Sequence, residues 1–306
     1  MRILVVGAGA TGGYFGARLA LAGRDVTFLV RPGRARVLRE RGLRIVEAEG
    51  ETSVEPTLVE AGGIAGTYDL VLLSVKATTL VGAIEDFAPA VGPETLILPV
   101  LNGMAHLDVL AKRFGEGAVL GGTARIVTTL NDVGDIVRIG GPHLLNYGAR
   151  TSPPPAKLAE VERVLTDVGF DAVLLDDIVG DMWTKWAFIT AIGAVTCLLR
   201  GSVGEVVAVP GGAAFAEAVV GETAAIVAAA GHPVPEQQLG FIKATVTTPG
   251  SPLTSSLYRD LVSGRSTEVE QLFGDLVAVA KQVGVDAPLL GLTTAALRVH
   301  QARVEG

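Results

Sequence analysis

The residues that decide the fold open the chain, which begins Met1-Arg-Ile-Leu-Val-Val-Gly7-Ala-Gly9-Ala-Thr-Gly12. The apolar run at residues 3–6 predicts a short buried strand, and helical spacing over residues 14–22 predicts a helix after the glycines. In a G-x-G-x-x-G motif at this place, the first glycine permits a turn, the second lets the backbone approach a pyrophosphate, and the third lets the helix pack on the strand. With 39 glycines in 306 residues, a plain glycine-rich turn is the alternative. We predict a dinucleotide site formed by Gly7, Ala8, Gly9, Ala10, Thr11 and Gly12.

Apolar runs and helical patterns then alternate through the first half of the chain. Residues 26–30, 70–75 and 96–100 predict further strands, and residues 80–87 and 107–114 predict helices. Strands separated by helices of this length imply right-handed crossovers and a parallel sheet. The predicted fold class is therefore α/β.

The pattern changes after residue 118. Shorter β-like runs occupy residues 124–129, 136–139 and 144–147, with Asn131-Asp132-Val133-Gly134 as a predicted hairpin turn. Predicted helices follow at residues 158–168, 181–199, 211–230, 235–246, 254–263, 268–283 and 288–302, with one more strand at residues 172–175. We therefore predict a dinucleotide-binding domain over residues 1–178 and an all-helical domain over residues 179–306.

Composition narrows the class of protein. The length fits two domains of about 150 residues each. A net charge of −7 disfavours nucleic acid or an anionic membrane as the main partner. The single cysteine, Cys197, and four scattered histidines predict neither an internal disulfide nor a metal site. The longest uncharged apolar stretch, residues 186–199, is too short to span a bilayer, and no signal-peptide pattern precedes the first strand, so we expect a cytoplasmic protein.

The residue after the second strand indicates which dinucleotide binds. An NAD site usually has a carboxylate there, about 20 residues beyond the glycines, to bind the ribose 2′-hydroxyl. This chain has Arg31 at that place, and Arg34 and Arg36 follow it. A guanidinium can bind a 2′-phosphate, which a carboxylate would repel. The sequence thus favours NADPH, and a solvated basic start of a helix is the alternative.

Three more polar residues are candidates for the reacting centre. Lys76 and Asn102 each follow a predicted strand at the carboxyl edge of the sheet, where such sheets bind ligands, although a solvated lysine and an Asn-Gly turn are the plainer interpretations. Lys185 lies among Trp, Phe and Ile residues in the sequence. Poor solvation lowers the pKa of a lysine toward neutral pH, where the amine becomes a better proton donor. The alternative for Lys185 is an amine that extends from a helix edge into water.

Together these motifs resemble those of the ketopantoate reductases (2-dehydropantoate 2-reductases), and the resemblance covers nearly the whole chain. The matching segments are G-A-G-A-T-G at residues 7–12, L-V-R ending at Arg31, S-V-K ending at Lys76, L-N-G-M around Asn102, M-W-T-K ending at Lys185, G-S-V-G-E at residues 201–205, and residues 254–260 with 266–270. The resemblance implies a Rossmann-type domain followed by an all-helical domain. It also implies NADPH-dependent reduction of a 2-oxo acid, as in the conversion of ketopantoate to pantoate in pantothenate biosynthesis.

The resemblance assigns roles to particular residues. Lys185 would be the general acid, and Glu268 would bind the substrate hydroxyl and interact with Lys185. Ser256 would help to hold the substrate carboxylate, and Asn102 and Lys76 would lie near the nicotinamide. The plainer alternative for Glu268 is an ordinary first-turn carboxylate beside a capping box of Thr267 and Glu270, and the two interpretations are compatible.

The chain departs from the family at three positions where better-known members have asparagine. Ile189 and Gly193 occupy two of them, four and eight residues after Lys185 and on the same helical face, and Val203 occupies the third. A site without these amides loses polar partners for a hydroxylated acid. Arg259, three residues after Ser256, is predicted to bind substrate instead, with Arg125 and His106 as other candidates.

The prediction from sequence is thus an NADPH-dependent reductase that acts on a small 2-oxo acid and needs no metal, with a homodimer as one possible assembly. We expect a bulkier or more apolar acid than ketopantoate as substrate. Two alternatives remain: a related dehydrogenase that acts on a 3-hydroxy acid, and a non-catalytic sensor that binds NADPH.

Overall fold

The computed structural model describes residues 1–151 and 155–306, and the chain divides into two compact units. Unit 1 comprises residues 1–101 and 106–179, and unit 2 comprises residues 102–105 and 180–306. The sequence assigned residues 102–105 to the first domain, with the boundary after residue 178. In the structure they belong with unit 2, because Met104 packs against the apolar core of the helical residues.

Unit 1 contains a parallel sheet with helices. Its strands are β1 (Arg2–Val6), β2 (Asp25–Leu29), β3 (Leu43–Glu47), β4 (Gly50–Val54), β5 (Thr57–Val59), β6 (Tyr68–Leu73), β7 (Val91–Pro99), β8 (Leu120–Leu130), β9 (Ile136–Ala149) and β10 (Asp171–Leu174). Its helices are α1 (Ala10–Leu21), α2 (Pro32–Arg41), α3 (Leu80–Phe87), α4 (Ala105–Phe114) and α5 (Pro155–Leu165). The parallel sheet has the strand order β5-β2-β1-β6-β7, which confirms the predicted α/β class.

The strand order places β1 where the chain changes direction across the sheet. The connection after β1 leads to β2 on one side, whereas β6 pairs with β1 on the other side. Such a switch point opens a crevice at the carboxyl ends of the strands, and ligands of open α/β sheets bind there. The glycine motif directly follows β1 and therefore lies at this switch point.

A second sheet in unit 1 was not predicted. Its order is β10-β9-β3-β4, with β8 paired to β9, and it combines parallel and antiparallel pairs. The runs at residues 136–139 and 144–147 belong to one strand: the chain bends through Gly140 and Gly141 at positive φ, and pairing with β8 continues on both sides of the bend with a shift of register. The predicted turn at residues 131–134 does connect β8 to β9.

Unit 2 is helical, and the structure shows no strand in residues 180–306. Its helices are α6 (Ile178–Leu198), α7 (Val203–Ala208), α8 (Gly212–Ala229), α9 (Glu236–Thr247), α10 (Ser256–Val262), α11 (Asp275–Val283) and α12 (Pro288–Glu305), and a π-helical segment, Glu270–Gly274, leads into α11. Helix α7 was not predicted, since its short length shows no periodicity; it begins at a capping box between Ser202 and Glu205. Helix α8 is long and apolar enough to cross a membrane by length and composition, a test that the core helix of a soluble protein also passes.

Candidate active site

The glycine loop after β1 has the geometry of a phosphate cradle. Gly7 has a φ of +96°, and a side chain there would place a Cβ 2.5 Å from the carbonyl oxygen of Ser74. A Cβ on Gly12 would collide with the carbonyl oxygen of Gly7. Above Gly9, in contrast, no atom lies within 4 Å of the Cβ position. The loop is therefore closed toward β6 and open at Gly9, where a pyrophosphate could approach the backbone.

Helix α1 directs its N-terminus into this open space. Gly9 is the N-cap, and the first turn, which includes Ala10 and Thr11, contains no acidic residue. The N–H groups of a first helical turn have no acceptor within the helix, and the helix dipole adds a partial positive charge. The loop and the helix together fit the phosphates of a dinucleotide.

Two arginines of the basic segment have different environments. Arg31 is the exposed N-cap of α2, and its side chain makes no capping hydrogen bond. Arg34 is half-buried, and its guanidinium donates from Nε to the carbonyl of Ala8 (2.9 Å) and from Nη1 to the carbonyl of Gly134 (2.7 Å). The structure thus leaves Arg31 accessible to a 2′-phosphate and uses Arg34 inside the fold.

Lys76 lies slightly farther from the sheet than predicted. Strand β6 ends at Leu73, so Lys76 belongs to the following loop, where its side chain is exposed and its carbonyl accepts from the Thr79 backbone and hydroxyl. Ser74 rather than Lys76 is adjacent to the strand end, and its backbone N–H donates to Val6 of β1 (2.9 Å).

In unit 2, the helix that bears Lys185 is tied to the segment that follows Glu268. Lys185 is partly buried on α6, beside the buried indole of Trp186. Trp186 Nε1 donates to the carbonyl of Leu272 (3.0 Å), and Thr190 Oγ1 donates to the same carbonyl (3.3 Å). Leu272 N in turn donates to the carbonyl of Glu268 (3.1 Å). Lys185 and Glu268 are therefore attached to one hydrogen-bonded scaffold.

The predicted capping box between Thr267 and Glu270 does not form. Glu270 instead makes a bidentate ion pair with Arg298 of α12, in which Nε donates to Oε1 (2.7 Å) and Nη2 donates to Oε2 (2.6 Å). This guanidinium lowers the pKa of the Glu270 carboxyl. The Thr267 hydroxyl donates to Gln301 Oε1 (3.0 Å), as does the Thr267 backbone N–H (2.8 Å). Helix α12 therefore holds both flanks of Glu268, an arrangement that local sequence could not indicate, because the partners are about thirty residues away.

Asn102 joins the same scaffold through its neighbour. Gly103 has a φ of +76°, and a Cβ there would lie 2.6 Å from the carbonyl oxygen of Gln271. Only a residue without a side chain allows this turn to rest against the π-helical segment. The structure thus brings Asn102 near the segment that begins just after Glu268.

Ser256 and Arg259 lie at the start of α10. Ser255 is the N-cap: its Oγ accepts from Tyr258 N (3.0 Å) and bonds Thr196 Oγ1 of α6 (2.9 Å), which anchors α10 to the helix of Lys185. Ser256 is exposed. Arg259 is half-buried and donates from Nη1 to the carbonyl of Thr254 (3.3 Å), and burial lowers its pKa.

The three positions that lack the family's amides differ in exposure. Ile189 is partly exposed, one turn after Lys185. Gly193 is buried under Phe273, whose Cζ would be 3.0 Å from a Cβ at position 193. Val203 is fully buried in the core of unit 2. Only Ile189 of the three remains accessible to a ligand.

Sequence reasoning missed several residues of this scaffold. Phe273, Trp186 and Thr190 read as ordinary core positions, and Gln301 as a surface residue of a helix. The only signal was the departure at Gly193, since a glycine inside a helix requires a reason such as close packing. Among the residues that the structure describes, no group of three or more His, Cys, Asp or Glu is placed to hold a metal ion.

Comparison with known proteins identifies similar chains over nearly the full length. The ketopantoate reductase PanE/ApbA family model matches residues 3–151, and the model for the C-terminal part of that family matches residues 177–301. The uncharacterized oxidoreductase YkpB of Bacillus subtilis is 33% identical over 99% of both chains. A 2-dehydropantoate 2-reductase of Mesorhizobium japonicum is 26% identical over 97% of both chains. A ternary structure of D-mandelate dehydrogenase with NADH and anilino(oxo)acetate superposes with a TM-score of 0.90 at 20% identity and covers both chains completely.

Proposed function

Because this chain belongs to the ketopantoate reductase PanE/ApbA family of oxidoreductases, we propose that it reduces the ketone of a 2-oxo acid to a 2-hydroxy acid with NADPH. The observation that carries the proposal is the shared carbonyl of Leu272, which links the helix of Lys185 to the segment of Glu268. This link holds together the two stretches of chain that carry the proposed general acid and the proposed substrate-binding carboxylate.

NADPH rather than NADH is proposed on the electrostatics at the end of β2. Arg31 is exposed beyond that strand, and no carboxylate occupies its place to bind a ribose 2′-hydroxyl. The similar D-mandelate dehydrogenase structure contains NADH, so the fold by itself does not require NADPH. A preference for NADPH that disappears in Arg31→Met would support the assignment, and equal affinities of the wild type for both dinucleotides would contradict it.

Reduction needs one hydride and one proton, and the reduced nicotinamide supplies the hydride when it is bound. Lys185 then donates a proton from Nζ to the substrate carbonyl oxygen, and its positive charge stabilises the oxyanion that develops there. Glu268 is proposed to accept a hydrogen bond from the substrate hydroxyl, and Ser256 and Arg259 to bind its carboxylate. The product is the 2-hydroxy acid, and Lys185 regains its proton from water.

The environment of Ile189 favours an acid with an apolar substituent over ketopantoate. Of the positions that lack the family's amides, Gly193 and Val203 are buried, so the accessible side chain one turn after Lys185 is the apolar Ile189. A similar fold accommodates anilino(oxo)acetate, an oxo acid with an aromatic ring, in the D-mandelate dehydrogenase structure. Phenylglyoxylate and branched aliphatic 2-oxo acids are therefore the proposed substrate class.

Steady-state kinetics test the proposal directly. NADPH consumption is followed with ketopantoate, phenylglyoxylate, a branched aliphatic 2-oxo acid and a set of 3-oxo acids. We expect the highest kcat/KM with an apolar 2-oxo acid, and we expect Ile189→Asn to shift kcat/KM toward ketopantoate. A wild type that favours ketopantoate would refute the substrate class, and turnover restricted to 3-oxo acids would refute the proposed reaction.

A further inference from the structure

The guanidinium of Arg34 joins two parts of unit 1 that are far apart in sequence. Its Nε donates to the carbonyl of Ala8, inside the glycine loop, at 2.9 Å. Its Nη1 donates to the carbonyl of Gly134, in the turn between β8 and β9, at 2.7 Å. The side chain therefore ties the cradle after β1 to the β8–β9 hairpin.

The guanidinium of Arg34 is bonded within the fold. Nε and Nη1 are used in the two bonds, and Nη2 is buried without an acceptor among the residues that the structure describes. An atom with no exposed surface cannot contact a dinucleotide from solvent. Burial also lowers the pKa of Arg34, although the nearby Asp135 opposes this effect. Arg31, directly after β2, is thus accessible, whereas Arg34 acts inside the fold.

The Ala8 carbonyl matters because of the amide on the other side of its peptide bond. A trans peptide group is planar, so its C=O and N–H point in opposite directions. Holding the oxygen of Ala8 therefore sets the direction of the Gly9 N–H. Gly9 is the N-cap of α1, and the space above it is open. The Gly9 amide is one of the donors that a pyrophosphate would meet.

The β8–β9 turn is suited to hold Arg34 in place. Asn131 Oδ1 accepts from Val133 N (3.2 Å) and from Asp135 N (2.8 Å), which fixes the loop from within. Gly134 has a φ of +88°, and a Cβ there would lie 2.8 Å from Arg34 Nη1. The acceptor for Arg34 is thus presented by a turn with its own internal hydrogen bonds, and a side chain at Gly134 would displace the Arg34 guanidinium.

We infer that Arg34 is a positioning residue of the dinucleotide site: braced by the β8–β9 turn, it orients the Gly9 amide toward the cofactor pyrophosphate. This inference rests on the proposed function only in requiring that a dinucleotide binds at the glycine loop. It separates two arginines that the sequence presents together. Arg31 would distinguish NADPH from NADH through the 2′-phosphate, whereas Arg34 would support both dinucleotides equally, because both carry the same pyrophosphate.

The test is a comparison of dissociation constants for NADPH and NADH, measured by fluorescence titration of the full-length protein. We expect Arg34→Met to weaken both dinucleotides by a similar factor, on the order of tenfold. Arg34→Lys keeps the charge but cannot donate to two divergent carbonyls, so it should also weaken both. Arg31→Met should weaken NADPH alone. Arg39→Met, on the same helix α2 and paired with Glu60, is the matched control and should change neither affinity.

A second variant leaves the arginine intact. Gly134→Ala should displace the Arg34 guanidinium and reproduce the loss for both dinucleotides, and thermal unfolding without ligand identifies any variant that fails to fold. A loss restricted to NADPH in Arg34→Met would overturn the inference, as would wild-type affinity in Arg34→Lys or unchanged affinities in a folded Arg34→Met. Wild-type protein that binds neither dinucleotide would refute both the inference and the proposed function. Tight binding without turnover of any oxo acid would refute the proposed function alone.

Discussion

Replacing Gly193 with alanine tests how closely Phe273 packs against this position of α6. The new Cβ would be 3.0 Å from Phe273 Cζ and 3.3 Å from Cε2, and the ring is fully buried, so it cannot move into solvent. Alanine is the better helix former by about 1 kcal/mol. Overpacking a core costs about 1–3 kcal/mol. In the wild-type background we therefore expect a net loss of stability of up to about 2 kcal/mol.

The effect of Gly193→Ala on stability should change sign when the Phe273 ring is removed. In a Phe273→Leu background the contact disappears, and Gly193→Ala should stabilise unit 2 by about 1 kcal/mol through helix propensity alone. The two substitutions should therefore show a coupling energy of about 1–3 kcal/mol in a double-mutant cycle. Denaturant unfolding is well suited to the measurement, because both tryptophans of the chain lie on α6, so their fluorescence reports on this unit.

Gly221 provides the matched control. It is an exposed glycine inside α8, and no atom lies within 4 Å of its Cβ position. Gly221→Ala should stabilise the protein by about 1 kcal/mol in both backgrounds. If Gly193→Ala changed stability equally with and without the Phe273 ring, the packing argument would be refuted.

Two other predictions concern the scaffold around Glu268. Thr190→Val removes one of the two donors to the Leu272 carbonyl and leaves the Trp186 bond, so it should lower the free energy of unfolding by about 1 kcal/mol. It should also lower kcat more than it raises KM. An unchanged kcat would contradict a role of Thr190 in positioning Lys185 and Glu268. Arg298 lowers the pKa of Glu270, so the pair stabilises the fold above the unfolded-state pKa of that carboxyl and loses this contribution as pH falls through the folded-state value. Both side chains are about half exposed, so Glu270→Gln should lower the free energy of unfolding by less than about 1 kcal/mol at neutral pH and leave it unchanged at acidic pH. Thermal unfolding at the two pH values measures this. A loss of stability of equal size at both would contradict the expected pH dependence.

Local pattern was sufficient to predict the strand, glycine loop and helix at the start of the chain. The roles of Gly7 and Gly12 follow from the strand, turn and helix on either side, and their close contacts are with the neighbouring strand end and loop. The alternation of apolar runs likewise predicted the parallel sheet. The second sheet was not predicted, because its pairs join strands as distant as β3 and β9. Register between such strands depends on tertiary packing rather than on short-range periodicity.

The errors at the site have the same physical origin. The capping box at Thr267 and Glu270 is a sound local expectation, but Gln301 and Arg298 on a distant helix take both partners. The sequence shows Arg34 only as part of the basic segment after Arg31, and the fold shows that two backbone carbonyls accept from its guanidinium. Long polar side chains have many possible partners, and which partner they meet depends on residues brought near by folding.

The most direct test of the proposed reaction is a pair of measurements on Lys185→Met. We expect NADPH to bind with wild-type affinity, because the substitution leaves the glycine loop and Arg31, which are proposed to bind it, unchanged. We also expect kcat for the preferred 2-oxo acid to fall by about 10²–10⁴-fold, the usual contribution of a general acid. Turnover at the wild-type rate would contradict the role of Lys185 as proton donor.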